Sequence, residues 1–156
     1  MLVVCLATAA SALGAGVEVR EDGALAAAIA TEINAVRSQH GLPSLRTSKA
    51  LNGTARTHAR SMATFGYFSH SSIRSLAAAY VKGKKRWAVG EIMVWSPGHL
   101  SAAEAVDRWL ASPPHRSDML GRWRHIGVGA LDVQDAPGVF GGKDITLVVV
   151  NFGRRS

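Results

Sequence analysis

The stretch ITLVVVNF, residues 145–152, is dominated by β-branched and aromatic side chains and contains neither glycine nor proline. Such residues favour extended backbone, so this stretch predicts a buried β-strand. The segment IGVGAL, residues 126–131, has the same apolar character, and a loop rich in glycine, proline and aspartate separates the two. Together the two segments predict an antiparallel pair of strands.

A third strand and several helices are expected around this pair. The short apolar run from Ile92 to Trp95 is bounded by Gly90 and by residues 96–98, which indicates another buried strand. Two segments carry apolar residues at helical spacing: Leu25, Ile29, Ile33 and Val36 in the first, and Leu51, Ala55, Ala59, Met62 and Phe65 in the second. Ser101 and Ser112 are expected to cap two further helices. This order predicts an α+β domain in which helices cover a small antiparallel sheet.

The composition and the N-terminus indicate one exported domain. The 156 residues, 47% hydrophobic and 19% charged, fit a single soluble globular domain. Residues 1–16, MLVVCLATAASALGAG, predict a cleaved secretory signal peptide, with an uncleaved N-terminal anchor as the alternative. Residues 17–24 are expected to be a linker and residues 25–156 the domain. Cys5, the only cysteine, lies in the leader, so no disulfide is expected in the mature chain.

The chain is strongly basic, with a formal net charge of +7. This charge favours anionic surroundings, such as an acidic cell surface or lipid headgroups, or serves solubility alone. The densest basic cluster lies within residues 82–86, KGKKR. Trp87 beside it is one aromatic residue and not a stacking platform, so no nucleic-acid binding is expected.

Three polar residues, His70, Glu91 and His115, stand where predicted elements begin or end. His70 closes the segment FGYFSH, Glu91 opens GEIMVW, and His115 lies in the first turn of the short helix that follows Ser112. Two imidazoles and a carboxylate suit either a divalent metal such as zinc or general acid/base chemistry. We therefore expect the three side chains to converge in one cleft. His70, His115 and Glu91 would be its metal ligands, and no catalytic residue is assigned.

Six segments carry a resemblance to a known family. They are, in order, INAVRSQHGLPSL, ARTHARSMATFGYFSH, GEIMVW, AVDRWLASPPHRSDML, HIGVGAL and LVVVNFG, and they span roughly residues 26–153. This series resembles the CAP superfamily of cysteine-rich secretory proteins, antigen 5 and pathogenesis-related 1 proteins, whose domain is also called SCP. The similarity is greatest to its compact, cysteine-poor bacterial members.

The resemblance implies an α-β-α sandwich with a three-stranded antiparallel sheet between helical layers. It also implies a cleft with two histidines and two acidic residues, which in some members binds zinc or another divalent cation. His70 and His115 match the histidines, and Glu91 matches the first acid. Ser112 stands at or near the position of the second acid, and Ile92 replaces the usual asparagine after the glutamate.

These departures favour a binding protein over an enzyme, because acid/base hydrolysis usually needs two groups with separated pKa values. We expect a secreted protein, extracellular or periplasmic, that acts as a monomer. Its cleft would bind a lipid or sterol, an anionic cell-envelope component or a small molecule, with or without a metal. The alternative is a divalent-metal-dependent hydrolase, protease-like or esterase-like, that uses the same cleft.

Overall fold

A computed structural model describes residues 16–156 of the chain. The predicted leader therefore lies outside the described residues, apart from its last position, Gly16. Among residues 16–156, no helix combines the length and the apolarity that crossing a membrane requires.

The described chain forms helices and strands in mixed order. The strands are β1 (Val19–Glu21), β2 (Arg46–Thr47), β3 (Trp87–Pro97), β4 (His125–Ala136) and β5 (Lys143–Arg155). The α-helices are α1 (Gly23–Gln39), α2 (Lys49–Phe65), α3 (Ile73–Ala78), α4 (Ala102–Leu110) and α5 (Pro113–Met119), and a short 3₁₀ turn spans Gly138–Phe140.

The sheet has β5 at its centre, paired antiparallel with β4 on one side and with β3 on the other. These long strands are the three that the sequence predicts. Two short strands extend the sheet: β1 pairs antiparallel with β4, and β2 pairs parallel with it. Strand β1 lies within the predicted linker, residues 17–24, so that segment is part of the sheet and not a free connector.

Helices cover both faces of this sheet and confirm the predicted sandwich. On one face α1, α4 and α5 pack over a core that includes Ile92, Val128 and Val150. On the other face α2 packs over Met93 and Val149, with α3 beside it. Adjacent strand residues thus alternate between the two cores, as the pleat of a strand dictates.

Helix α2 lies unusually close to β4 because two glycines of the strand carry no side chain. A Cβ built at Gly127 would lie 2.2 Å from the Leu51 carbonyl carbon, and one at Gly129 would lie 2.6 Å from the Arg56 nitrogen. Backbone atoms of α2 therefore occupy the space that side chains would fill. Glycine within a strand often marks such a close backbone approach.

This close approach predicts opposite effects for two glycine-to-alanine changes. Gly127→Ala should lower the free energy of unfolding by about 1–3 kcal/mol, because the new methyl group overpacks against the α2 backbone. Gly53→Ala, within α2 and with no atom near the added methyl group, should raise it by about 0.5–1 kcal/mol. Urea denaturation measures both values. A Gly127→Ala protein as stable as the wild type would contradict the close approach.

Candidate ligand cleft

The segment that carries His70 begins at a fixed point, the end of α2. Gly66 caps the helix with φ of 67°, a left-handed conformation that glycine adopts without strain. Its carbonyl oxygen accepts a hydrogen bond from the Val139 N–H at 3.0 Å, and its Cα lies against the backbone of Gly138. The chain therefore leaves α2 in one direction, held by the turn between β4 and β5.

A histidine of α2 holds the same segment three residues further on. The Nε2 atom of His58 lies 2.9 Å from the carbonyl oxygen of Ser69 and donates a proton to it. His58 is half-buried, and this hydrogen bond gives it a structural role. Its consequence is functional, because the bond fixes the backbone immediately before His70.

His70 and Glu91 form a direct pair. The Nδ1 atom of His70 lies 3.0 Å from Oε1 of Glu91, and the backbone N–H of Ser71 donates to the same oxygen at 2.8 Å. Because a carboxylate oxygen can only accept, the proton of the neutral imidazole must lie on Nδ1. The lone pair of Nε2 is then free, and the His70 side chain is 59% exposed.

Glu91 is the buried member of the pair. Only 5% of its side chain is exposed, and its Oε2 has no hydrogen-bond partner among the described residues. Desolvating a carboxylate oxygen without a donor costs free energy. Burial of the Glu91 carboxylate therefore lowers the stability of the fold, so a structural role does not explain it.

His115 and Ser112 enter from the other helical layer. Ser112 precedes α5 as its N-cap without a side-chain capping bond, and His115 lies in the first turn, as predicted. Neither side chain is hydrogen-bonded to His70 or to Glu91 in the described structure. Glu91 lies on the α2 side of β3, whereas α5 packs with the core of the opposite face. The four predicted cleft residues thus divide into one bonded pair and two residues of α5.

Asp118 is an acidic residue of the cleft that the sequence reasoning missed. Burial raises the pKa of its carboxyl, and the neighbouring charges of His115 and His70 act in the opposite direction. Asp118 therefore lies within the electrostatic reach of both histidines. The available signal was its spacing, since residues three apart on a helix share one face and Asp118 follows His115 by three. Glu104, an acid upstream of Ser112, does not join the cleft residues, because it forms a capping box with Ser101.

The arrangement does not assemble a three-ligand metal centre. Within residues 16–156, no group of three or more His, Cys, Asp or Glu side chains is placed to hold a metal ion. The Nδ1 of His70 and the Oε1 of Glu91 are bonded to each other, and only one nitrogen of His70 is left for a ligand. Metal binding by His70, Glu91 and His115 stays a prediction from the sequence.

An apolar groove adjoins the pair. It lies between α2 and α3, has a volume of about 540 Å³, and is lined mainly by small side chains such as Ala50, Gly53 and Ala79. Ser71 also lines this groove, and its N–H is the donor to Glu91. Ser71 therefore contacts the His70–Glu91 pair and also lines the groove. The sequence alone did not indicate this groove, because its walls are separate helices.

Exposed apolar side chains flank the same segment. Phe65, Phe68 and Ile73 are 75%, 37% and 67% exposed, within five residues of His70 on either side. These three side chains provide exposed apolar surface on the segment around His70.

The chain is similar to the known proteins of one family. A family model described as CAP, the cysteine-rich secretory protein family, matches residues 30–152. The search of curated proteins found no match.

Several solved structures share the fold. An outer surface protein of Borrelia burgdorferi has a TM-score of 0.71 at 20% identity, and the match covers 88% of this chain and 98% of that one. An extracellular protein of Bacillus anthracis that contains an SCP domain has a TM-score of 0.64 at 26% identity, over 85% of this chain and 41% of that one. A cysteine-rich secretory protein of Staphylococcus aureus has a TM-score of 0.56 at 16% identity, over 83% and 38%. The chain therefore spans about two fifths of the length of the latter two proteins.

The raised pKa of Asp118 predicts a pH-dependent effect of Asp118→Asn. The folded protein holds this proton to a higher pH than the unfolded chain, so the wild type loses stability as the pH rises above the ordinary aspartate value of 3.8. Asp118→Asn removes that loss. The variant should be more stable than the wild type at pH 7, with a difference that shrinks as the pH falls towards 4.

Urea denaturation across this pH range measures the difference. Asp107→Asn, an exposed change of the same kind in α4, is the matched control. An Asp118→Asn protein that is less stable than the wild type at pH 7 would show that the ionised carboxylate is favourably bound.

Proposed function

We propose, from the premise that the chain belongs to the CAP family of cysteine-rich secretory proteins, that it is an exported ligand-binding protein. Its cleft takes an apolar molecule that carries a hydroxyl group, such as a long-chain alcohol or a sterol. The observation that carries this proposal is the shared residue Ser71, which joins the His70–Glu91 pair to the apolar groove.

The polar part of the ligand is set by the protonation of His70. With its Nδ1 proton bonded to Glu91, the neutral imidazole offers Nε2 as an acceptor. A ligand that donates a proton, such as a hydroxyl group, satisfies this nitrogen. A carboxylate cannot donate, and it would also meet the negative charge of Glu91 below.

The apolar part of the ligand is set by the groove and its rim. A groove of about 540 Å³ lies within the range of small-ligand pockets. Phe68 and Ile73 are exposed and lie within three residues of Ser71, which lines the groove. Burial of a hydrocarbon chain there supplies the main driving force, at roughly 25 cal/mol per Å².

Export is supported by two independent features. The apolar leader in residues 1–16 has the character of a secretory signal. Two proteins of similar fold are described as an outer surface protein and an extracellular protein. We therefore place this protein outside the cytoplasmic membrane, where it acts as a monomer.

Binding of matched probes tests the proposal. A fluorescent long-chain alcohol should bind more tightly than the fatty acid of equal chain length. His70→Ala should weaken alcohol binding about ten-fold, the loss expected for one ligand hydrogen bond. Ala79→Trp should abolish it by filling the groove. His99→Ala, a histidine exposed at the opposite end of β3, is the control and should change nothing. Equal affinity for alcohol and acid, or wild-type binding by His70→Ala, would refute the assigned polar contact.

A hydrolase that uses the same cleft is the second candidate. The observation in its favour is again the pair, because a carboxylate that orients His70 leaves Nε2 as a general base for water. Turnover of an ester panel should then fall about 10²–10⁴-fold in His70→Ala. Turnover that survives in His70→Ala would exclude this cleft as its source.

A further inference from the structure

The basic residues at one end of the sheet come together through strand register. Arg154 of β5 pairs with Ala88 of β3, and the N–H of Arg124 donates to the carbonyl oxygen of Gly153 at 3.0 Å. The start of β3, the start of β4 and the end of β5 therefore lie side by side. The cluster in residues 82–86 leads directly into this end of β3.

The cations at this end have no carboxylate partners. The ion pairs of residues 16–156 join Arg20 to Asp132, Arg56 and Arg60 to Glu21, and His70 to Glu91. All of them lie elsewhere in the fold. The positive charge here is thus not neutralised within the described protein.

A partly buried hydrogen-bonded pair, Tyr80 and His125, lies among these cations. Burial lowers the pKa of His125, and the charges of Arg46, Arg155 and Arg124 lower it further. Its Nδ1 and the hydroxyl of Tyr80 are hydrogen-bonded at 2.7 Å. The guanidinium of Arg155 lies 4.4 Å from the centre of the Tyr80 ring and donates to the Tyr80 carbonyl oxygen. Arg155 is therefore held in place, whereas the guanidinium groups of Arg124 and Arg154 have no hydrogen-bonded or ionic partner among residues 16–156.

The surface between these cations is concave. One hollow of about 490 Å³ is lined by Lys85, Arg86, Trp87, Arg154 and Arg155, together with Arg124 and Ser156. A second hollow of about 510 Å³ shares Arg124 and Arg154 and continues past Arg122, Trp123 and Arg46. The two hollows form one groove, called the basic groove below, with Trp87 43% exposed at one end.

We propose that the basic groove binds an extended phosphodiester polymer of the poly(glycerol phosphate) type. Guanidinium groups match phosphate oxygens in a bidentate geometry. Two adjoining hollows that share Arg124 and Arg154 suit a linear chain, whereas a flat bilayer cannot follow a concave surface. The exposed ring of Trp87 can cover an uncharged linker between phosphates. A leader that predicts export places the groove among polymers of the cell envelope, and the single exposed ring gives no platform for stacked bases.

Fluorescence anisotropy with labelled poly(glycerol phosphate) tests the proposal. The purified protein should bind it with an affinity that falls as salt rises, because counterions are released from the polymer. Arg124→Gln with Arg154→Gln should weaken binding at least about ten-fold and lower the slope of log K against log salt by about 1–2. The control is Lys49→Gln with Lys143→Gln, which removes the same charge from exposed positions outside the groove and should change affinity less than about two-fold.

A second variant keeps the test independent of folding. Lys84→Gln, Lys85→Gln and Arg86→Gln together alter only the exposed approach to β3 and should also weaken binding more than the control. Equal loss in the control, or tighter binding to phosphatidylglycerol vesicles or to an oligonucleotide of equal charge, would overturn the assignment. No binding to poly(glycerol phosphate) at low salt would overturn it as well.

Discussion

The close approach of α2 to β4 is the constraint on which the cleft depends. Gly127 and Gly129 let the helix backbone rest directly on the strand. The C-terminal end of α2 is thereby fixed over the sheet, and Gly66 directs the following segment towards β3. His58 then bonds Ser69, which leaves His70 above Glu91. A side chain at either glycine would lift the helix and separate the pair.

The strands and the longer helices could be predicted because their apolar periodicity is strong. The β-branched run in 145–152 and the helical spacing of Ile29 and Ile33 leave few alternatives. Strand β1 could not be predicted, because its three residues, Val-Arg-Glu, carry no pattern of their own. It exists through backbone pairing with Leu131 to Val133, a tertiary contact that sequence periodicity does not record.

The candidate site could be predicted only in part, because local sequence patterns do not record how distant elements pack. His70 lies in the loop between α2 and α3, and Glu91 lies within β3. Their pairing depends on how the bond from His58 to the Ser69 carbonyl holds that loop against the strand. The donation from the Ser71 backbone and the groove beside it depend on how two helices pack, which no local motif encodes. Asp118 was within reach of the sequence, since it shares a helix face with His115, but its burial follows only from the fold. The described domain has an amphipathic cleft at one place and a basic groove at another, and we propose that each binds a ligand of its own kind.

Buried Glu91 fixes His70 as the Nδ1-protonated tautomer, and this leaves Nε2 available to the proposed ligand. The ¹⁵N chemical shifts and long-range ¹H–¹⁵N couplings of the neutral imidazole measure this tautomer directly. They should show a protonated Nδ1 and an unprotonated Nε2 in the wild type, and a mixture of tautomers in Glu91→Gln. A wild-type imidazole protonated at Nε2 would contradict the account.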